Sequence, residues 1–324
     1  MQPKAPGLIQ TFRAVAVVAT PTRRSLLPKT RETYEFWIKR FFRFVERKPA
    51  SQWEGMDVQR FLWALHRERY APKSRKQALC ALVYVFRHVL KVDIGTLDLP
   101  IIPAEKPRIK IIPSRGEVAQ ILAAMRGQTR LMAGLMYGAG LRVAETCELR
   151  VKDVDLESRS IRVHGGKGDK DRMCLLPLAL HEALKLQIEW RRALHNNDLA
   201  IGAGIVEMPD RMAIKDKSAA TSLQWQYLFP SSILRGQRRW HTTPEAVQLA
   251  LKAAVKAAGI LKRVTPHTLR HAYCTHSLRA GNDAATVQRL MGHDSLETTM
   301  IYAHADRARG VSPMDAADVV PQLI

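Results

Sequence analysis

Thr265-Pro266-His267-Thr268-Leu269-Arg270-His271 holds a histidine and an arginine three residues apart at what reads as a helix start. Thr265 suits an N-cap and Pro266 a first helical position, so a helix is expected over residues 266–279. His267 and Arg270 then share one face of the first turn, where a helix N-terminus favours an anion. A phosphate there would meet a guanidinium fork, an imidazole and backbone N–H donors together. Alone, the heptapeptide also fits a surface helix with two chance polar residues. Its surroundings separate the two.

Downstream, Leu290-Met291-Gly292-His293 closes a helix over 283–291 at glycine and places His293 in a loop before a last helix over roughly 296–304. Nine residues after His293 comes Tyr302. A tyrosine there can simply be half-buried packing. Beside an arginine–histidine phosphate site it is a candidate nucleophile, because a phenolate can attack phosphorus and leave again at similar energy. Upstream, a buried helix over 130–137 ends at Gly138-Ala139-Gly140, and another begins near Arg142. Glu145, one turn on, can orient the Arg142 guanidinium or be a plain surface acid. Three strands near 151–156, 160–164 and 172–176 form a small antiparallel sheet, with Lys167 in the turn Gly165-Gly166-Lys167-Gly168-Asp169. That glycine run is too short for a phosphate-binding loop and lies between strands. His267, His271 and His276 suggest zinc, but no further ligand stands at a convincing spacing and Arg270 would repel a dication. No metal and no cofactor are expected.

Ahead of this region, three amphipathic helices fill residues 30–91. Tyr34, Trp37, Ile38, Phe41, Phe42 and Val45 make one apolar stripe, and Asp57 and Ser74 open the second and third helices. The aromatic residues are expected in the core. Lys73, Arg75 and Lys76 stand at a helix start that can meet phosphates. Residues 1–24 read as a flexible arm, 25–95 as a helical domain, and 96–113 as an extended basic linker in which Pro100, Pro103, Pro107 and Pro113 alternate with Lys106, Arg108 and Lys110. A second domain, 114–324, opens with the capping box Ser114-Arg115-Gly116-Glu117. Within it helices are expected over 179–193 and 245–258, joined by the long connection 194–241. This segment carries a possible helix over 207–215, then Trp225, Tyr227, Leu228, Phe229 and Pro230, then Arg238, Arg239, Trp240 and His241. The fold class is mostly α with one small antiparallel sheet.

Over 324 residues, 51 Lys+Arg face 30 Asp+Glu, a net charge of +21, and 22 of those basic residues against 9 acidic ones fall in the first 110. Such an excess points to a polyanionic partner. Four distant cysteines suit free thiols in a reducing cytoplasm rather than disulfides. No stretch approaches the roughly 20 apolar residues of a membrane span.

Together, Arg142 within Gly140-Leu141-Arg142-Val143-Ala144-Glu145, Lys167 in a β-turn, His267-x-x-Arg270, Gly292-His293 and Tyr302 resemble the tyrosine recombinases, the phage-integrase family, in order and spacing. The resemblance implies a two-domain, C-shaped DNA clamp with residues 25–95 as the core-binding domain. It implies Tyr302 as the nucleophile that forms a 3′-phosphotyrosine and releases a 5′-hydroxyl. Arg142 and Arg270 would neutralise the non-bridging oxygens, Lys167 would protonate the leaving oxygen, and His267 and His293 would hydrogen-bond the phosphoryl group or move the tyrosine proton. A DNA-binding protein without catalysis has no need of that tyrosine, and the short chain, the N-terminal helical clamp and the integron-like insertion favour a recombinase over a type IB topoisomerase, which uses similar chemistry. More narrowly, insertion 194–241, Leu228-Phe229-Pro230-Ser231-Ser232, Arg238-Arg239-Trp240-His241 and Gly310-Val311-Ser312-Pro313-Met314-Asp315 are similar to integron integrases. That likeness implies folded single-stranded recombination sites as well as duplex ones, with Trp225, Pro230, Trp240 and His241 stacking on protruding bases and Arg238 and Arg239 on DNA. The apolar tail 308–324 would dock into a neighbouring protomer of a homotetramer on DNA, or pack on its own domain.

Overall fold

Apolar side chains recurring every three or four positions form the helices of the N-terminal unit. In this computed structural model, which describes residues 5–17, 26, 28–99, 111–164, 171–208, 212, 215–216 and 218–292, they are α1 (Ala5–Val17), α2 (Pro28–Phe44), α3 (Gly55–Arg67) and α4 (Pro72–Tyr84), which runs on as a π-helix over Val85–Leu90. Trp37, Ile38 and Phe41 of α2 bury against Val58, Phe61, Leu62 and Leu65 of α3 and Ala78 and Leu82 of α4. The Phe41 and Trp53 rings meet edge-on at 4.8 Å, so these aromatics do serve as core.

Three details here differ from the sequence reading. Residues 5–17 are a helix where a flexible arm was expected: Leu8, Phe12 and Ala16, four apart, are at most 2% exposed in the same core. Arg13 adds a bidentate pair with Glu35, at 2.8 and 2.7 Å. Helix α3 starts earlier than Asp57, which instead takes the backbone N–H of the N-cap Glu54 at 3.1 Å. Arg75 is not available to a phosphate on the surface. It is 4% exposed and donates from Nη1 to His66 Nδ1 at 2.8 Å, whereas Lys73 and Lys76 are exposed.

The chain divides into two units, residues 1–106 and 107–324. In the second, Ser114 Oγ accepts the Glu117 N–H while the Glu117 carboxylate accepts that of Ser114, opening α5 (Arg115–Ala124) as the capping box requires. Then follow α6 (Gly127–Gly138), α7 (Val143–Glu148), β1 (Val154–Asp155), β2 (Ser160–Val163), β3 (Arg172–Leu175) and α8 (His181–Ala200). After the insertion come α9 (Pro244–Ala257), α10 (Pro266–Arg279) and α11 (Ala284–Met291). The sheet is antiparallel in the order β1-β2-β3, with Ile161 opposite Cys174 and Val163 opposite Arg172. The core gathers Ile121, Met132, Leu135, Leu141, Ile161, Val247, Leu251 and Leu269. Cys147, Cys174 and Cys274 are free and buried, while Cys80 is exposed. Burial pushes the Cys147 and Cys274 thiols up to about 12, so neither is a reactive thiolate.

A second sheet, which the sequence reading lacks, sits in the insertion: β4 (Pro230–Arg235) pairs with β5 (Arg238–His241). The turn between them uses Gly236 at φ 60°. Helix α8 runs seven residues past its expected end, and its inner face holds the insertion down. Arg191, fully buried, donates from Nε to the Tyr227 carbonyl at 3.0 Å and from Nη2 to Gln226 Oε1 at 2.8 Å. Gln187 Nε2 donates to the Leu228 carbonyl at 2.9 Å. Most of the helix expected over 207–215, the linker residues 100–110, the turn carrying Lys167, and everything from His293 through the tail lie outside the described residues.

Candidate active site

Arg142 ends the α6–α7 turn as the N-cap of α7, with φ −75° and ψ 152°. Its backbone N–H donates to Glu145 Oε2 at 2.8 Å and its Nη1 to Glu145 Oε1 at 2.6 Å, so Glu145 does orient this guanidinium. The same two oxygens also accept a second arginine, Arg172 at the start of β3, through Nη1 to Oε1 at 2.8 Å and Nη2 to Oε2 at 2.6 Å. Arg270, on the inner face of α10 and 1% exposed, lies with Nη1 3.9 Å from Glu145 Oε2. Three guanidiniums thus surround one carboxylate, a net excess of two positive charges in a largely buried place. Burial works against ionising Glu145, but the hydrogen bonds from Arg172 and from the Arg142 backbone and side chain hold its carboxyl at about 2. Burial, then the neighbouring Arg142, lowers Arg270 to about 10, which leaves it charged at neutral pH.

The same arginines receive the end of α11, whose last carbonyls have no partner inside the helix. Arg172 Nε donates to the Leu290 carbonyl at 3.1 Å, Arg270 Nη2 to that of Met291, and Arg142 Nη2 to that of Gly292 at 3.1 Å. Glycine is required at Gly292, where φ is 61° and a Cβ would lie 2.9 Å from Arg172 Cδ. Gly140, at φ 69°, is equally constrained: a Cβ would lie 2.6 Å from the Tyr273 ring, and its carbonyl receives Arg270 Nη1. Thr265 caps α10 through the Thr268 N–H at 3.2 Å, and His267 is exposed in its first turn. The ring of His271 is 4.0 Å from that of His267, and His276 is buried with Nδ1 3.0 Å from Tyr137 Oη. Among the described residues no group of three or more His, Cys, Asp or Glu is placed to hold a metal ion.

The structure therefore brings Arg142, Glu145 and Arg270 together, with His267 three residues before Arg270 on α10. It adds Arg172, which sequence reasoning missed. Period-two alternation carries the missing signal: Cys174 faces the core, so Arg172, two residues earlier, faces the same way. Lys167, His293 and Tyr302 lie outside the described residues.

The phage integrase family matches residues 114–309 of this chain, and the phage integrase N-terminal SAM-like domain matches residues 16–96. An "Integrase/recombinase" of Escherichia coli is 35% identical over 91% of this chain and 90% of its own length. The chain belongs to the phage integrase family. It is a tyrosine recombinase, a DNA strand-transferring enzyme. A "Tyrosine recombinase XerA" of Thermococcus onnurineus is 33% identical over 85% of this chain and 84% of its own. In fold, the recombinase is similar to a XerH site-specific recombinase solved with difH substrate, with a TM-score of 0.61 at 18% identity, covering 91% of this chain and 90% of that one.

In this recombinase a cavity of about 470 Å³ opens between Glu145 and the insertion, lined among others by Arg150, Lys152, Trp225, Tyr227, Trp240 and His241. Lys152 Nζ sits 3.2 Å from the centre of the Trp225 ring, and Arg150 anchors the Trp225 carbonyl at 2.7 Å. Arg238 is exposed, and Trp225 and Trp240 are half-buried. Three expected contact residues are corrected. Arg239 is buried, paired with Asp198 of α8 through Nε at 3.0 Å and through Nη2, so its charge is spent inside the protein. Pro230 is buried in the β4–β5 pairing, its carbonyl taken by Gln128 and Thr242. His241 reaches the cavity wall but is 9% exposed, with Nδ1 2.8 Å from the Thr242 carbonyl and its ring edge-on to Tyr227.

Proposed function

We propose that this recombinase is a site-specific enzyme of the integron-integrase kind, moving DNA cassettes between folded single-stranded and duplex sites. The observation that carries this reading is the aromatic and cationic cavity of about 470 Å³ that the insertion builds beside Glu145, where a base that a folded strand leaves unpaired would lodge. Stacking on Trp225 or Trp240 would hold such a base whatever its identity, since every base has a π-face. Cleavage would begin with Tyr302 attacking a phosphodiester, so that a 3′-phosphotyrosine forms as the bond to the 5′-oxygen breaks. Lys167 would protonate that oxygen, and Arg142 and Arg270 would neutralise charge building on the non-bridging oxygens. His267 and His293 would hydrogen-bond the phosphoryl group. Rejoining reverses the exchange, and because bond energy is conserved neither metal nor nucleotide is needed. A ring of four protomers on two sites, joined by tail 308–324, and a cytoplasmic location complete the proposal.

The test compares binding of a DNA hairpin carrying protruding bases with binding of the same stem fully paired. Trp225→Ala should weaken hairpin binding by roughly tenfold, at about 1–3 kcal/mol per stacked base, and leave the paired stem unchanged. Equal losses on both would make the insertion a structural element and this chain a recombinase of duplex sites alone.

A further inference from the structure

We infer that Arg172 is a positioning residue of the strand-transfer reaction, acting through Glu145 on Arg142; this rests on placing Arg142 at the scissile phosphate. Two features carry the inference. First, the Arg172–Glu145 fork is planar recognition by two parallel N–H···O bonds, at 2.8 and 2.6 Å, from a side chain only 9% exposed. Glu145 spends its remaining capacity on the Arg142 backbone N–H and guanidinium, so the plane of the carboxylate, and with it the direction of Arg142, is set by Arg172. Second, Nε of Arg172 donates to the Leu290 carbonyl. The same side chain therefore ties β3 to the end of α11, whose next carbonyls reach Arg270 and Arg142. Gly292 is part of the arrangement, since any side chain there would displace Arg172. Three of Arg172's five N–H donors are already used within the protein, so its part in the reaction is assigned through Glu145 rather than through a phosphate contact of its own.

Lysine at this position keeps the charge and loses the fork. The experiment is a double-mutant cycle on Arg172→Lys and Glu145→Gln, read as the single-turnover rate of covalent adduct formation. The probe is a nicked duplex that the wild-type chain captures covalently from a randomised library, at saturating concentration. Arg172→Lys should form adduct about tenfold more slowly or worse, the scale on which partners of a site's own ligands act in metal sites. Its DNA affinity and its unfolding temperature should stay near wild type. Glu145→Gln should lose a similar factor, and the double variant no more than the slower single one, because both changes cut the same link. A wild-type rate for Arg172→Lys, or losses that multiply in the double variant, would overturn the inference. So would an Arg172→Lys chain that does not fold, since the role would then lie in stability. Absence of adduct from the wild-type chain would instead strike the placement of the chemistry itself.

Discussion

Arg142, Arg172 and Arg270 would repel one another in a buried cluster were it not for Glu145 and the three carbonyls at the end of α11. Among the described residues this leaves an excess of two positive charges, which suits the phosphate of the proposed reaction. Arg142→Ala and Arg270→Ala should each slow cleavage of bound DNA by a factor of roughly 10²–10³, about 3–4 kcal/mol for one lost donor, with smaller losses in binding. Single-turnover assays at saturating DNA check this, and near-normal cleavage would remove that arginine from the site. Glu145 also leaves a mark on stability. Its carboxyl titrates at about 2 in the fold against an ordinary 4.5, so the folded chain binds fewer protons across that interval. The stability it lends is complete above pH 4.5 and is lost as pH falls toward 2. Denaturant unfolding measured across this window should show a shallower pH dependence in Glu145→Gln than in the wild type. Glu35, held equally low by Arg13, is present in both chains and cancels in the comparison. Arg270 was legible from the helix start that Thr265 and Pro266 announce, and Arg142 from the family resemblance, with Glu145 one turn on. Arg172 was not: its role is defined by an acid 27 positions away and by a carbonyl of α11.

Helices α10 and α11 and strands β2 and β3 lie within a residue or so of where capping and periodicity put them, because Thr265, Asp283 and Gly292 mark their ends locally. The elements that sequence reading missed depend on distant partners. Helix α1 is too short to be stable alone, and its stripe of Leu8, Phe12 and Ala16 has meaning only against the core that α2 and the π-helix present. Phe12→Ala should therefore destabilise the N-terminal unit by about 3 kcal/mol, read by chemical denaturation. A loss under about 0.5 kcal/mol would return residues 5–17 to the status of an arm. The β4–β5 hairpin was hidden for a related reason. Its inward-facing residue is Arg239, a charge that fits an interior only because Asp198 of α8 waits there, 41 positions earlier. Two residues that look like DNA ligands by composition, Arg75 and Arg239, are interior for this reason, each facing a partner that composition does not disclose.

At the scale of the whole chain, a net charge of +21 sets a long-range preference for polyanions, and the arginine cluster proposed to hold the phosphate lies where α6, α7, β3, α10 and α11 meet. Among the described residues no helix is long and apolar enough to cross a membrane. Charge draws DNA in without regard to sequence. Turning that attraction into strand transfer requires one nucleophile, and the nucleophile proposed above is Tyr302. The most direct measurement incubates the wild-type chain and Tyr302→Phe with nicked duplex DNA in EDTA, without nucleotide, and counts protein–DNA adducts that survive hot detergent. A phosphotyrosine mechanism predicts adducts from the wild type and none from Tyr302→Phe, which still binds the DNA before denaturation. An adduct from Tyr302→Phe, or a strict need for a divalent metal before the wild type forms one, would contradict it.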